Sequence, residues 1–236
     1  MLNRTVDQQE RIQLGIGYYT AGEAARLLKM PVLNINRWLR GYNYKYRGAT
    51  HHSEPLWTSE LPSYDNKIEL SFRDLIELRF VESFLRAGLG LKTIRHCLDS
   101  ARESVNDMRP FSTQKFRTDG RTIFLDTIRE SGESEMLDLK RRQYVIKQVI
   151  ERSFKDLDIE ENAVARWRPF KGKESIVIDP KRAFGQPIVA EFGVPTQVLA
   201  EAVGVEGSVA RVAKIFEVSL AVVRDAVNFE EFLHAA

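Results

Sequence analysis

The sequence predicts a mainly α fold with small β elements, and three observations carry that prediction. Apolar residues recur at helical spacing through much of the chain, as at Ala24, Leu27 and Leu28 and again at Phe72, Leu75, Ile76 and Phe80. Residues suited to the helix N-cap stand just before such runs: Thr20, Ser71, Thr196, Ser208 and Ser219. The segments with strand character are short, such as Ile176-Val177-Ile178, which Asp179-Pro180 ends. Hydrophobic residues make up 43% of the 236 and charged residues 29%, enough for genuine cores in two domains, which excludes a wholly disordered chain.

Taken in order, residues 1–18 form a polar N-terminal arm. Residues 19–42 predict two short helices. Thr20 and Glu23 have the spacing of a capping box for the first. Lys29-Met30-Pro31 interrupts the pattern, because proline disfavours a helical conformation in the residue before it. The second helix turns Leu33, Ile35, Trp38 and Leu39 inward and ends at Gly41. Two short helices joined by a tight turn, the second of them basic, form a helix-turn-helix. Residues 42–70 are polar and aromatic, with Pro55 and Pro62, and occupy the place of a wing. Leu56-Trp57 and Ile68–Leu70 are the candidate strands of its hairpin.

Ser71 and Asp74 open the next helix and Gly88 closes it; Leu89-Gly90-Leu91 leads into another, with Ile94, Leu98 and Val105. Asn106-Asp107 and Pro110 then break the pattern. Asp119-Gly120, between 116–118 and 121–125, predicts a β-hairpin. Residues 130–135 predict a loop, and 139–157 fit either strand or helix. Residues 163–173 are basic and aromatic and predict a linker. Beyond the first short strand, 184–187 is a turn, Ile188-Val189 a second strand, and 196–203, 208–216 and 219–229 three helices. The expected organisation is a winged helix-turn-helix at 17–108, a middle region and linker with a β-hairpin at 109–173, and a C-terminal three-helix, helix-turn-helix-like domain at 174–236.

Charge separates the two ends more sharply than the net value of +2 conveys. Residues 19–50 hold six basic residues and one acidic, a balance of +5; residues 174–236 hold five basic and nine acidic, a balance of −4. A basic front suits the phosphates of DNA, and an acidic back suits a different partner. The lone cysteine, Cys97, excludes an intrachain disulfide, the first residues are polar, and no apolar run approaches the ~20 residues that span a bilayer. These features predict a cytoplasmic protein with no membrane partner.

The candidate DNA-binding residues are Thr20, Asn34, Asn36, Arg37, Arg40, Lys45, Tyr46, Arg47, His51 and His52. Asparagine pairs with adenine through two hydrogen bonds and arginine with guanine, so Asn34, Asn36, Arg37 and Arg40 suit a recognition helix. Tyr42, Tyr44 and the residues from Lys45 to His52 mix cationic and aromatic groups that suit phosphates or the minor groove. The bland alternatives are a solvated helix face and a surface loop. No nucleophile–base pair and no zinc pattern is present, and His96 and Cys97 read as packing residues. Asp156, Asp158, Glu160 and Glu161 read as a solvated acidic turn rather than a metal site. Neither an enzyme nor a metal or other cofactor is expected.

The run YYTAGEAARLLKMPVLNINRWLRGY, followed by the wing and by LSFRDLIELRFVESFLRAGLGLKTIRHCL, resembles the MerR-type DNA-binding domain over about residues 17–105. The resemblance implies that Asn34, Asn36 and Arg37 lie on the recognition helix and Arg47, His51 and His52 in the wing. Lys29 stands where that family usually has glycine, the wing is longer, and the family's long dimerising helix and effector domain are not evident after residue 110. From Ile176 the run IVIDPKRAFGQPIVAEFGVPT, continuing to VARVAKIFEVSLAVVRDAV, is similar to a small domain of VapB-type antitoxins, over about residues 174–233. Glu191-Phe192-Gly193-Val194 departs from its usual Gly-Thr-Arg-Ile/Val.

Together the two resemblances imply a long-form VapB-type antitoxin. It would repress its own promoter as a homodimer on a palindromic operator and neutralise a PIN-like ribonuclease toxin. Arg166, Trp167, Arg168 and Phe170 of the linker, with Phe184, are the candidate partner-binding residues. The back domain also has the outline of a second helix-turn-helix, but its −4 balance favours a protein partner over DNA. The alternative is a stand-alone MerR-like transcription regulator without a toxin; a nucleic-acid enzyme is a third reading with little support.

Overall fold

The computed structural model describes residues 15–63, 65, 67–130 and 136–235, with backbone alone for 136–142. The fold is mainly α with small β elements. The predicted arm lies largely outside the described residues. Strand β1 (Tyr19–Thr20) pairs antiparallel with β4 (Glu69–Leu70). Helix α1 (Ala21–Leu28) starts from the capping box: the Glu23 amide donates to Thr20 Oγ1 at 3.2 Å, and the Thr20 amide to Glu23 Oε2 at 2.8 Å. It ends at Lys29 in the left-handed region (φ 53°, ψ 49°), and α2 (Val32–Arg40) follows Pro31. Ile35, Trp38 and Leu39 pack inward against Ala24, Leu27 and Leu28 of α1 in the main core.

The wing differs from the predicted one. It is an antiparallel hairpin of β2 (Tyr42–Tyr46) and β3 (Ala49–Ser53), joined by Arg47-Gly48. Both turn residues have positive φ, 50° and 82°, the signature of a two-residue turn whose twist matches its strands. Leu56 and Trp57 pair with nothing in a sheet; they are buried in the main core, and Ile68 with them. Apolar character marked those residues for the core, not for the ladder. Gly41, between α2 and the wing, also has positive φ (73°), and a Cβ there would lie 2.5 Å from the Ser53 carbonyl oxygen.

Helix α3 (Phe72–Arg86) is capped by Ser71 with Asp74, and α4 (Leu91–Val105) ends at left-handed Asn106. A 3₁₀ turn (Pro110–Ser112) leads to α5 (Gln114–Glu130) and α6 (Met136–Phe154). The predicted Asp119-Gly120 hairpin is therefore helix. Phe116, Gly120, Ile123, Phe124, Thr127 and Ile128 are buried at a helical period. Gly120 serves packing rather than turning, since a Cβ there would lie 2.7 Å from the Phe116 ring. Residues 139–154 are helical too, which settles the open choice, and 131–135 of the expected loop lie outside the described residues. Phe84 and Phe124 stack at 4.5 Å, Phe111 and Phe116 lie 4.6 Å apart, and Phe80 and Phe154 4.9 Å. This aromatic cluster joins the middle of the chain to α3.

Four antiparallel strands follow in the order β5 (Leu157–Glu160), β6 (Ala163–Trp167), β7 (Ile176–Ile178) and β8 (Pro187–Val189). The supposed linker thus supplies strand β6, and the sheet runs across the expected boundary at 173. Helices α7 (Thr196–Glu206), α8 (Val209–Ile215) and α9 (Leu220–His234) close the chain around a second core of Val189, Leu199, Val212, Val223 and Ala226. Ser208 and Ser219 cap α8 and α9 as expected. Thr196 does not cap α7; that place is Pro195, and the buried Thr196 hydroxyl donates to Glu230 on α9 instead.

The helix-turn-helix region meets the C-terminal part of the chain. Phe229 and Leu233 of α9 belong to the main core, and the Tyr19 hydroxyl donates to the Gly185 carbonyl at 2.7 Å. Lys29 Nζ donates to the Phe232 carbonyl and sits 4.3 Å from the centre of the Phe232 ring. The turn of the helix-turn-helix is thereby held by the last helix.

Candidate nucleic-acid interface

Burial of Ile35, Trp38 and Leu39 dictates what α2 presents outward. The opposite face carries Val32, Leu33, Arg37 and Arg40, all exposed, with Asn34 and Asn36 half-buried at its margins. Leu33 departs from the inward position expected of it. No side chain caps the first turn of α2, because Pro31 has none to offer. The front of this helix is thus a basic face with an apolar leading edge.

The wing continues that face. Strand residues alternate sides, so Tyr42, Tyr44 and Tyr46 share one side with His51, while Asn43, Lys45, Thr50 and His52 share the other. Tyr44 stacks on its cross-strand partner His51 at 5.5 Å, and Tyr46 meets His51 edge-on at 6.1 Å. Arg37 of α2 lies over the Tyr42 ring at 5.3 Å, and Arg47 at the tip lies over Tyr46 at 5.2 Å. Helix and wing are therefore bridged by a cation–π contact, and arginine stands at both ends of the aromatic side. On the other side His52 Nδ1 bonds Asn43 Oδ1 at 2.7 Å, and Lys45 is exposed.

The structure thus gathers Asn34, Asn36, Arg37, Arg40, Lys45, Tyr46, Arg47, His51 and His52 on one helix and the hairpin beside it. His51 and His52 face opposite ways. Thr20 is engaged in the capping box of α1.

Sequence reasoning missed the residues that hold the chain as it leaves the wing. Arg95 of α4 donates to the Pro55 carbonyl at 2.7 Å and the Glu54 carbonyl at 2.6 Å. Arg102 reaches the Leu56 carbonyl at 2.9 Å, and Arg109 the Thr58 carbonyl at 2.7 Å. Three arginines remote in sequence hold the carbonyls just after β3. Arg109 is itself held by Asp74 at 2.6 Å, and fully buried Asp74 also accepts from Trp57, Ser59 and Glu60. Nothing in the sequence pattern separates these arginines from those facing solvent.

Four of the five expected partner-binding residues are occupied within the chain. Trp167 is buried on β6 and donates to Asp156 at 3.0 Å, and Phe170 packs on Phe229 at 5.6 Å. Arg166 pairs with Asp158 at 3.2 Å and Glu160 at 2.5 Å, and Arg168 with Asp158 at 2.6 Å. The acidic residues of β5 are accordingly partners of arginine. Phe184 alone stands out, 62% exposed, in a turn where Ala183, Phe184 and Gly185 all have positive φ. His96 is exposed on α4 rather than packed. Cys97 is buried, which pushes its thiol up to about 12 and leaves it unreactive at neutral pH. Among the described residues no helix is long and apolar enough to cross a membrane.

Residues 17–98 match a family model described as "Putative DNA-binding HTH domain". The chain is 27% identical over 199 residues to the "Putative antitoxin VapB45" of Mycobacterium tuberculosis strain H37Rv, covering 80% of this chain and 83% of that one. It is also similar to the crystal structure of Rv2018 from Mycobacterium tuberculosis: TM-score 0.71, 26% identity, 89% of this chain and 96% of that one. The protein carries a helix-turn-helix domain of this kind and resembles an antitoxin over most of its length.

Proposed function

We propose that this chain is a VapB-type antitoxin that represses its own promoter and neutralises a PIN-like ribonuclease toxin. The observation that carries the DNA half is the continuous surface of α2 and wing, joined where Arg37 lies over Tyr42. In this reading a MerR-like winged helix-turn-helix sets α2 in the major groove while Lys45, Tyr46, Arg47, His51 and His52 reach the flanking backbone. A homodimer would place two such helices on a palindrome, with half-sites ~34–36 Å apart.

The toxin half is supported by the name of the similar Mycobacterium tuberculosis protein and by the acidic C-terminal region. The region from 174 onward exposes Phe184, and the helices beyond it expose Ile215 and Leu220. Exposed apolar side chains on an acidic region suit a basic nuclease.

Co-expression with the neighbouring small gene tests the reading. A neighbour that stops growth alone, becomes harmless with this chain and co-purifies with it is the expected result. A harmless or non-associating neighbour removes the toxin and leaves a stand-alone DNA-binding regulator, to be pursued with duplexes from upstream of the gene.

A further inference from the structure

Leu33 is 56% exposed and Val32 41%, both in the first turn of α2. The core beneath the helix is already filled by Ile35, Trp38 and Leu39, so Leu33 adds little to the stability of the free chain. A single exposed leucine is ordinary on a protein surface. This one lies on the cationic face of the helix, one turn ahead of Arg37, with Arg40 further along. It also lies in the N-terminal turn, the part of a recognition helix that meets base edges. The one apolar group that the major groove displays is the 5-methyl of thymine.

We infer that Leu33 reads a thymine, its side chain packing on the 5-methyl group beside the base contacted by Arg37. The inference rests on the DNA-binding reading above. Leu33 and Arg37 are four residues apart, about 6 Å along the helix axis. With base pairs about 3.4 Å apart, the thymine lies within about two base pairs of the one Arg37 contacts.

The experiment uses the full chain and a consensus duplex selected from a randomised pool. Each thymine of the consensus is replaced in turn by deoxyuridine, which removes the methyl group and leaves every hydrogen-bonding group in place. Losing one buried methyl corresponds to about a three- to fivefold weaker affinity. That loss is expected at one thymine per half-site for the wild type, and at none for Leu33→Ala, whose own affinity for the unmodified duplex is weakened by at least as much. If deoxyuridine is tolerated everywhere by the wild type, or weakens both proteins equally, Leu33 does not read a methyl group. If no consensus emerges and all duplexes bind alike, the DNA-reading role of α2 fails first and the inference falls with it. Because Leu33 is exposed, Leu33→Gln, which keeps the bulk and removes the apolar surface, takes the place of Leu33→Ala in the same series should that variant fold poorly.

Discussion

Single residues in this chain are set by what surrounds them more than by their type. Glu77 on α3 is fully buried: Oε1 accepts from the Ser112 amide at 2.9 Å, and Oε2 has no hydrogen-bond partner. Burial pushes its carboxyl up to about 8, only partly opposed by the Ser112 amide, Arg73 and Arg109. The native state therefore holds a proton that the unfolded chain has already released above about 4.5. Stability should fall as pH rises from there to about 8, by up to about 1.4 kcal/mol per unit, and level off beyond. Glu77→Gln should flatten that slope and be the more stable protein at pH 8. Denaturant titrations between pH 5 and 8 decide it, and parallel curves for the two proteins would rule out Glu77 as the source. On the proposed interface, Arg37→Ala should weaken operator binding by about 1–3 kcal/mol if Arg37 contacts a base. An unchanged affinity would remove Arg37 from the readout and leave it as a brace for Tyr42.

At the scale of elements, the turn between α1 and α2 shows a local cost offset from a distance. Lys29 adopts a left-handed conformation that costs a non-glycine residue about 1–2 kcal/mol. Its side chain spans the gap to α9, where it meets the Phe232 carbonyl and ring. Lys29→Gly should therefore leave α1 and α2 intact while loosening the end of α9. Amide hydrogen exchange is expected to quicken across residues 229–234 and to stay unchanged across 21–40. Equal protection of α9 in both proteins would show that Phe229 and Leu233 hold the helix without help from Lys29. The wing is governed in the same way, since Arg95, Arg102 and Arg109 hold its exit through carbonyls that no local pattern reveals.

For the whole molecule, the division at 173 that the sequence invites is a poor place to cut. Removing 174–236 strips β7 and β8 from the sheet and leaves β6 as a bare edge. It also takes Ile176, Ile178, Phe229 and Leu233 out of the main core. At roughly 1.5–3 kcal/mol per large apolar side chain, that loss rivals the whole stability of a domain, about 5–15 kcal/mol. A fragment ending at 173 should lack a cooperative thermal transition, or melt far below the full chain, in calorimetry. A transition at the parent temperature would show that the front and middle fold alone. Partner contacts are better mapped with Phe184→Ala, which is solvent-exposed and leaves the core untouched.

The sequence alone determined the local signals: the caps at Thr20 and Ser71 with their acidic partners three residues on, the break at Lys29-Met30-Pro31, the caps at Ser208 and Ser219, and the outward basic face of α2 with Arg37 and Arg40. These depend on neighbours within four residues, which a one-dimensional reading contains. Tertiary structure decided the rest. Asp119-Gly120 has the chemistry of a turn but lies in α5, because Phe116 needs a residue without Cβ beneath its ring. Residues 163–173 have the composition of a linker, yet they hold β6, with Trp167 and Phe170 buried by partners far along the chain. Leu33 has the character of a core residue but stands in solvent, because three neighbours already fill the space under α2. In each case the choice rests on packing between segments distant in sequence, and residue type records the capacity for burial without naming what will bury it.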